Sequence, residues 1–460
     1  MNALLVICGL GFLSLLAEIV NLKKRLTAFI IIGLMAASVL LVMDWDTELR
    51  YYSDMLTFNN FAIAFSALIT IISVFWFWMA RDYFKVPEHQ TDRSVLVVFT
   101  IAGGVIMVSF SNMAMLFLGI EILSISLYVL AGSNKNKLSS NEAALKYFIM
   151  GSFATGFLLM GIALIYGATG SFNIISISEH ITAHADELPG FLYAGVALML
   201  IGIAFKISAV PFHFWAPDVY SGSPTTITAF MSTVVKIAAI GAFYRLFSFC
   251  FLPVQSSWIV TLQVITVLTL VVANVTAVYQ VNVKRILAYS SVGHVGYILL
   301  AFISNSATSE GTIFYYLVSY SITSIAAFTV LTIVEGSTAN TSLQSFNGLY
   351  KRSPFLATVM TITMLSLAGI PPLAGFFAKY LVFNQALDHG YIGLVIVAVI
   401  TSLIGVYYYF KIFGAIFFKE VEESAIVVSF SSKVLLIVLT GLTLFVGIFP
   451  DLLISLFEVR

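Results

Sequence analysis

Apolar runs of about twenty residues recur from one end of this chain to the other, and no other feature limits its fold as tightly. A helix rises 1.5 Å per residue, so about twenty residues cross a hydrocarbon layer of roughly 30 Å. Within lipid each backbone N–H and C=O must be satisfied inside the protein, which a helix does segment by segment. Charged residues make up only 10% of the chain and hydrophobic types 60%. A soluble domain carries about 25% charged residues, so this chain has too few to cover a water-facing surface. The fold class is therefore an all-α polytopic membrane protein.

Fourteen spans are expected, at about 3–21, 26–43, 59–80, 95–110, 112–132, 143–168, 190–211, 224–249, 257–279, 286–304, 310–334, 354–387, 391–418 and 433–453. The turn "SFSN" at 109–112 separates two of them. The apolar N-terminus has no basic leader or small-residue cleavage site, so it reads as the first span rather than a signal peptide. Lys and Arg cluster at 23–25, at Arg81, Lys85 and Arg93, at 134–137, at Lys284–Arg285, at Lys351–Arg352, and at Lys411, Lys419 and Lys433. With fourteen spans, all of these fall on one side, and only Arg50 and Arg460 on the other. Basic loops mark the cytoplasmic face, which places both termini outside. The 45–54 and 170–190 connections are expected to cover parts of the outer face. The acidic stretch at 420–423 is expected to lie on the inner surface.

Several charges stand where lipid would reject them. Lys206, Lys236 and Lys379 lie in apolar spans, and a lysine at the centre of an isolated helix costs about 2.5–3.5 kcal/mol on insertion scales. Lys146 is near a span end, where its stem can carry the ammonium to the interface. Glu121 is a mid-span acid with Ser124 one turn on. Glu18 and Glu142 are nearer span ends, and Glu335 reads as interfacial. His213 and His294 add groups whose ordinary pKa is near 6.5. One acid–lysine pair would glue two helices; a series across several spans reads as a route for protons. Lysine suits that task because it can lose its proton, which arginine does not.

The same regions carry helix breakers. Proline lacks a backbone donor and clashes with the preceding turn. Pro211, in "AVPF", and Pro371–Pro372, in "GIPPLAG", are expected to interrupt their helices. Such breaks belong in protein interior or beside water, where half-helix ends can steer ions. Lys206 and Lys379 are 173 residues apart, and so are Glu121 and His294. This spacing suggests two copies of a five-helix unit. An odd number of spans per copy would insert them in opposite orientations. The expected divisions are an N-terminal three-helix segment (1–94), a first repeat (95–250), a second repeat (257–418) and a last helix (419–460).

Net charge is zero, which gives no case for nucleic acid. Cys8 and Cys250 are too few for a disulfide framework or a thiolate metal site. No zinc spacing, phosphate-binding loop or dinucleotide fingerprint is expected from the motifs present. The short loops leave no room for a soluble catalytic domain.

The stretches "GIEILSISLYVLAG", "FKISAVPFHFWAPDVYSGSPTTITAFMSTVVKIAAI", "NVKRILAYSSVGHVGY" and "SLAGIPPLAGFFAKYLVF" resemble the subunit N family of the bacterial respiratory NADH–quinone oxidoreductase. Subunit 2 of the mitochondrial NADH dehydrogenase is its counterpart. The resemblance covers about residues 3–450. It implies an antiporter-like, proton-translocating subunit of complex I with fourteen helices, two inverted five-helix repeats and discontinuous helices 7 and 12. By resemblance, Glu121, Lys206, Lys236 and Lys379 match the family's acid and three relay lysines. Lys146 matches an additional lysine, and His213 and His294 match histidines along the polar path. The family carries no cofactor or metal in this subunit; NADH, FMN, iron–sulfur clusters and quinone belong to partner subunits. Its partners are neighbouring antiporter-like and small core subunits of the membrane arm, within a bacterial inner membrane. The chain shows no long lateral helix after the last span, unlike the largest antiporter-like subunit. "PFHFWAPD" is shared with cation/proton antiporter subunits, so a multisubunit antiporter component is the alternative. A structural membrane subunit held by polar glue is a third reading.

The charge bias gives a test that is independent of mechanism. In a background lacking Cys8 and Cys250, Ala183→Cys is expected to react with a membrane-impermeant reagent in intact cells, and Asn136→Cys is not. Efficient labelling of Asn136→Cys would reverse the orientation.

Overall fold

The computed structural model describes residues 2–19, 23–84, 90–306, 308–420 and 425–457, without the side chains of residues 18, 23 and 24. The helices follow the apolar runs. In chain order they begin with α1 (Asn2–Ile19) and α2 (Lys23–Met43). An antiparallel hairpin follows, β1 (Leu49–Tyr51) and β2 (Leu56–Phe58), with Arg50 opposite Thr57. Next come α3 (Asn60–Met79), α4 (Gln90–Ser109), α5 (Met113–Ala131), α6 (Leu138–Thr169), α7 (Ile174–Ala183) and α8 (Gly190–Ile207). Three shorter pieces follow, α9 (Trp215–Gly222), α10 (Thr225–Ser232) and α11 (Val234–Tyr244), then a π-helical turn over Arg245–Cys250. The chain continues through α12 (Gln255–Val278), α13 (Val283–Ser304), α14 (Ser309–Thr338), α15 (Leu349–Arg352), α16 (Pro354–Ala368) and α17 (Ala374–Asp388). It ends with α18 (Ile392–Phe418), α19 (Phe430–Ile448) and α20 (Asp451–Ile454).

Among the described residues, twelve helical stretches are long and apolar enough to cross a membrane, and Asn2–Ala17 and Pro354–Ala368 are shorter apolar helices. The chain is thus an all-α polytopic membrane protein. Several boundaries differ from the sequence expectation. The span expected at 190–211 ends its helix at Ile207, and the one expected at 354–387 is two helices, α16 and α17. The span at 224–249 divides at Thr233 and turns π-helical at Arg245. No proline or glycine marks that division. The expected loops also have structure, since 45–54 leads into the hairpin and 170–190 holds α7. Of the basic and acidic residues used for topology, Lys85, Glu422, Glu423 and Arg460 lie outside the described residues, as do the side chains of Glu18, Lys23 and Lys24.

The chain divides into two compact units. The first holds residues 1–208, 222–224 and 234–262. Here α11 packs on α3 and α4, α4 on α5, and α6 on α8. The crossing between α4 and α5 is tied down by backbone bonds. Ser111 N–H donates to Met55 O at 2.9 Å, Met113 N–H to Phe172 O at 2.9 Å, and Ile174 N–H to Ser111 O at 2.9 Å. Asn112 begins α5 by accepting from Ala114 N–H, satisfying one of the donors a helix start leaves open.

The second unit holds residues 209–221, 225–233 and 263–460. Within it α13 and α14 are long and largely buried, with α16, α17, α18 and α19 packed around them. The crossing between α12 and α13 repeats the device of the first unit. Val283 N–H donates to Thr341 O at 2.9 Å and Leu343 N–H to Val281 O at 2.8 Å, while Asn282 caps α13. Asn112 and Asn282 are therefore equivalent, 170 residues apart.

The helix breaks are also built alike. Ser208 closes α8 with φ +63°, and Gly369 closes α16 with φ +87°. Each donates its N–H to the carbonyls three and four residues back, a left-handed cap that satisfies end carbonyls. A cis peptide follows in both places, Val210–Pro211 and Pro371–Pro372. The two caps are 161 residues apart, whereas Lys206 and Lys379 are 173 apart. Lys206 lies just before its break and Lys379 lies after its own.

Two glycines let the second break close. A Cβ on Gly375 would overlap the Ser366 carbonyl, and one on Gly447 of α19 would overlap the Pro372 carbonyl and the Ala374 nitrogen. Gly441 of α19 faces open space. Gly375→Ala and Gly447→Ala are each expected to cost about 1–3 kcal/mol by overpacking, whereas Gly441→Ala stays within about 0.5 kcal/mol. Thermal unfolding in detergent measures the difference.

Candidate functional site

The three mid-span lysines are all buried, with Lys206 at 7%, Lys236 at 2% and Lys379 at 6% exposure. Each sits beside an interruption. Lys206 is in the last turn of α8, Lys236 in the first turn of α11 just after Thr233, and Lys379 in the second turn of α17. A regular helix has no spare acceptors for an ammonium, because its carbonyls are taken. An interrupted one exposes end carbonyls, and its C-terminal end carries partial negative charge.

In the first unit, Lys206 Nζ donates to Ser124 Oγ at 2.7 Å. Ser124 in turn donates to Ile120 O at 2.5 Å on its own helix, α5. Its hydroxyl is thus fixed with a lone pair toward the lysine. Glu121 lies one turn before Ser124 on α5, half-buried. The hydrogen bond of Lys206 is to the serine, so a hydroxyl joins α5 to α8 at this point. Ser124 was legible as a neighbour of Glu121; its direct bond to the lysine was not.

In the second unit, Lys379 Nζ has three partners. It donates to Ala368 O at 2.9 Å and Ser402 Oγ at 2.9 Å, and stands 5.0 Å from the centroid of the Tyr297 ring. Ala368 is the last residue of α16, so the ammonium from one half-helix satisfies the end of the other. This answers why a charge is buried next to two prolines: the break supplies its acceptor. His294 is buried on α13, with Nδ1 2.7 Å from Tyr316 Oη and Nε2 3.3 Å from Tyr409 Oη. A small cavity lies between this histidine and the break, lined by His294, Tyr316, Tyr320, Thr323, Ser366 and Gly375 among others. His294 and Lys379 therefore flank one polar region within a single unit.

The remaining expected residues are more ordinary. Lys146 pairs with Glu142 one turn earlier on α6 at 2.7 Å, and both side chains are exposed. His213 is buried in the turn after Pro211, its ring 4.6 Å from that of Phe214. Glu335, near the end of α14, accepts from Thr225 Oγ1 at 2.5 Å. Pro211, Pro371 and Pro372 all lie in the turns between half-helices. The tyrosines around His294 and Lys379 were missed by the sequence reading, because a Tyr in an apolar span looks like any other large core residue. Their period offered a weak signal: Tyr316 and Tyr320 are one turn apart on α14, and Tyr408 and Tyr409 are adjacent on α18.

Among the described residues, no group of three or more His, Cys, Asp or Glu is placed to hold a metal ion. What the arrangement offers is buried ammonium groups at helix interruptions, with hydroxyls, a buried imidazole and a half-buried carboxyl on neighbouring helices, in a polytopic membrane protein.

Comparison with known proteins agrees with that class. The family model described as "NADH:quinone oxidoreductase/Mrp antiporter, TM" matches residues 110–405. NADH-quinone oxidoreductase subunit N of Cytophaga hutchinsonii is 45% identical over 459 residues, covering 99% of each chain. A chain of respiratory complex I from Thermus thermophilus, solved with bound aureothin, superposes with a TM-score of 0.84 at 30% identity, covering 98% of each chain. A chain of an archaeal membrane-bound sulfane sulfur reductase superposes with a TM-score of 0.89 at 26% identity, covering 99% of this chain and 96% of its own. The chain belongs to the NADH:quinone oxidoreductase/Mrp antiporter family and, within it, to the subunit N family of NADH-quinone oxidoreductases.

The lysine–serine contact in the first unit can be tested for its structural weight. Ser124→Ala removes the acceptor that holds Lys206 and is expected to cost about 1.5–3 kcal/mol, the range for a hydrogen bond to a charged group. The readout is the thermal midpoint of the purified protein. An unchanged midpoint would show that the lysine finds an equivalent acceptor.

Proposed function

We propose that this chain is the proton-translocating membrane-arm subunit N of a respiratory NADH–quinone oxidoreductase. The observation that carries the proposal is the full-length match to a curated subunit N, at 45% identity over 99% of both chains. The buried lysines at helix interruptions supply the chemistry. In this reading NADH, FMN, the iron–sulfur clusters and the quinone belong to partner subunits, and this chain contributes no redox site. Its neighbours are other antiporter-like and small core subunits, in a bacterial inner membrane with both termini outside.

The finer architecture belongs to the same proposal. Fourteen spans would arise from the twelve long helices together with α1 and the α16–α17 pair. The interruptions after α8 and α16 would make helices 7 and 12 discontinuous. Two inverted five-helix repeats, 95–250 and 257–418, would follow the 1–94 segment and precede 419–460. The matched crossings at Asn112 and Asn282 and the matched caps at Ser208 and Gly369 support that repeat.

In the relay, Glu121 and Lys206 act as a switchable pair: with the acid near, the ammonium is favoured, and with the acid withdrawn, desolvation favours release. Protons then pass by way of Lys236 and His294 to Lys379, with Lys146 and His213 as accessory groups. A multisubunit cation/proton antiporter is the second reading, favoured by the breadth of the family model. Co-purification with a flavin and iron–sulfur arm supports the first reading; an assembly of small antiporter subunits alone supports the second.

Lys379 gives the functional test. Lys379→Met keeps much of the stem and removes the charge, and Lys379→Arg keeps the charge but does not deprotonate. Both are expected to lower proton translocation per NADH oxidised in proteoliposomes, with assembly intact. If Lys379→Arg pumps at the wild-type rate, Lys379 is an electrostatic anchor for the break and not a carrier. Other pumping subunits would limit the loss to part of the total flux.

A further inference from the structure

The contacts of His294 differ from those of a histidine held for packing. A structural imidazole is commonly fixed by a backbone carbonyl or carboxylate, which accepts only and so locks one tautomer. Here both ring nitrogens face phenols from other helices, Tyr316 of α14 at 2.7 Å and Tyr409 of α18 at 3.3 Å. Tyr409 Oη is 2.5 Å from Ser290 Oγ, one turn before His294 on α13. Every partner in this row is a hydroxyl, able to donate or accept by turning about its C–O bond.

A neutral imidazole has one N–H and one bare nitrogen. One phenol therefore donates to the ring while the other accepts from it, and the whole row points one way. Reversing each hydroxyl and exchanging the tautomer gives a second row with the same bonds. The two states need no movement of the ring. At the Tyr316 end, the cavity described above leads past Thr323 and Ser366, whose hydroxyls are 3.3 Å apart, to the break beside Lys379.

We propose that Tyr316, Tyr409 and Ser290 carry protons through His294, forming a hydroxyl–imidazole–hydroxyl segment of the relay. This rests on the proton-translocating reading above and adds the residues that conduct within the second unit. A proton brought by water to Ser290 Oγ releases the serine's own proton to Tyr409 oxygen, which gives its own to Nε2. Nδ1 gives its proton to Tyr316 oxygen, which gives one to water on the side of the cavity and Lys379. Each oxygen ends with the number of protons it began with, while the imidazole proton has moved from Nδ1 to Nε2; the ring returns to its first tautomer and the hydroxyls turn back before the next proton passes. No phenolate forms, so the high cost of ionising a buried tyrosine does not enter.

The test compares Tyr316→Phe, Tyr409→Phe and Ser290→Ala with Lys379→Met in the assembled complex. Proton translocation per NADH oxidised and thermal stability are measured together. The Phe variants keep the rings, so a packing role leaves the flux unchanged. The expected result is that both Phe variants lose proton translocation to the same extent as Lys379→Met while assembly holds. Wild-type flux in either Phe variant, with Lys379→Met impaired, overturns the segment and leaves the relay standing. Normal flux in all variants, Lys379→Met included, overturns the relay reading and this segment with it. If Tyr409→Phe fails to assemble, Ser290→Ala decides: loss of flux supports the segment and normal flux rejects it.

Discussion

Everything distinctive in this chain follows from one rule of the bilayer: a backbone carbonyl taken out of a helix must find a donor within the protein. The break between α16 and α17 frees end carbonyls of α16. Gly369 turns its own N–H back onto two of them, and Lys379 reaches Ala368 O. The prolines and the lysine are thus parts of one solution. Without a cation the break leaves an acceptor bare; without the break the ammonium loses one of its two acceptors. Lys411 shows the same chemistry in a plainer setting, where it donates to Val278 O and Gln280 O and closes the end of α12. It lies half-buried near the end of its helix. Full burial and the added contacts with Ser402 and the Tyr297 ring, and not the lysine–carbonyl bond itself, set Lys379 apart.

The buried hydroxyls need the same discrimination. Many serines and threonines in the spans donate to the carbonyl four residues back, as Ser73, Thr100 and Thr329 do, a bond that stays within one helix. Ser124 also back-bonds, yet its free lone pair receives Lys206. Ser290 and Ser402 bond outward, to Tyr409 and from Lys379. A hydroxyl matters here when its second bond leaves its own helix.

The fold class and the positions of most spans were legible because they rest on long apolar runs, the strongest pattern a sequence holds. Pro211 and Pro371–Pro372 announced two of the breaks. The third, at Thr233, had no proline or glycine. Its only trace was the run of hydroxyls in "TTITAFMST", where Thr228, Ser232 and Thr233 now bond to backbone carbonyls. Burial of Lys206, Lys236 and Lys379 was readable from charge against apolarity. Their partners were not, since Ser402 and Tyr297 come from helices distant in sequence. The spacing of 173 residues between Lys206 and Lys379 differs from that of the local features around them. The helix starts at Met113 and Val283 are 170 apart and the breaks 161 apart, because the segments between them differ in length.

That difference in register has a physical consequence. If the two units descend from one frame, the lysine did not keep its place in it. In the first unit Lys206 precedes the break and meets a serine one turn from the half-buried Glu121. In the second, Lys379 follows the break and meets a carbonyl, a serine and a tyrosine ring, with phenols and an imidazole beyond. A carboxylate changes its charge and so can favour or release a nearby ammonium. A helix-end carbonyl and an aromatic face have fixed partial charges and cannot. The two breaks thus place different chemistry around a buried ammonium: a serine one turn from a carboxyl in the first unit, and a helix-end carbonyl, a hydroxyl and an aromatic face in the second. Similar turns therefore do not imply similar surroundings, because the side chains at each break, and not the backbone that makes it, decide what the lysine can exchange a proton with.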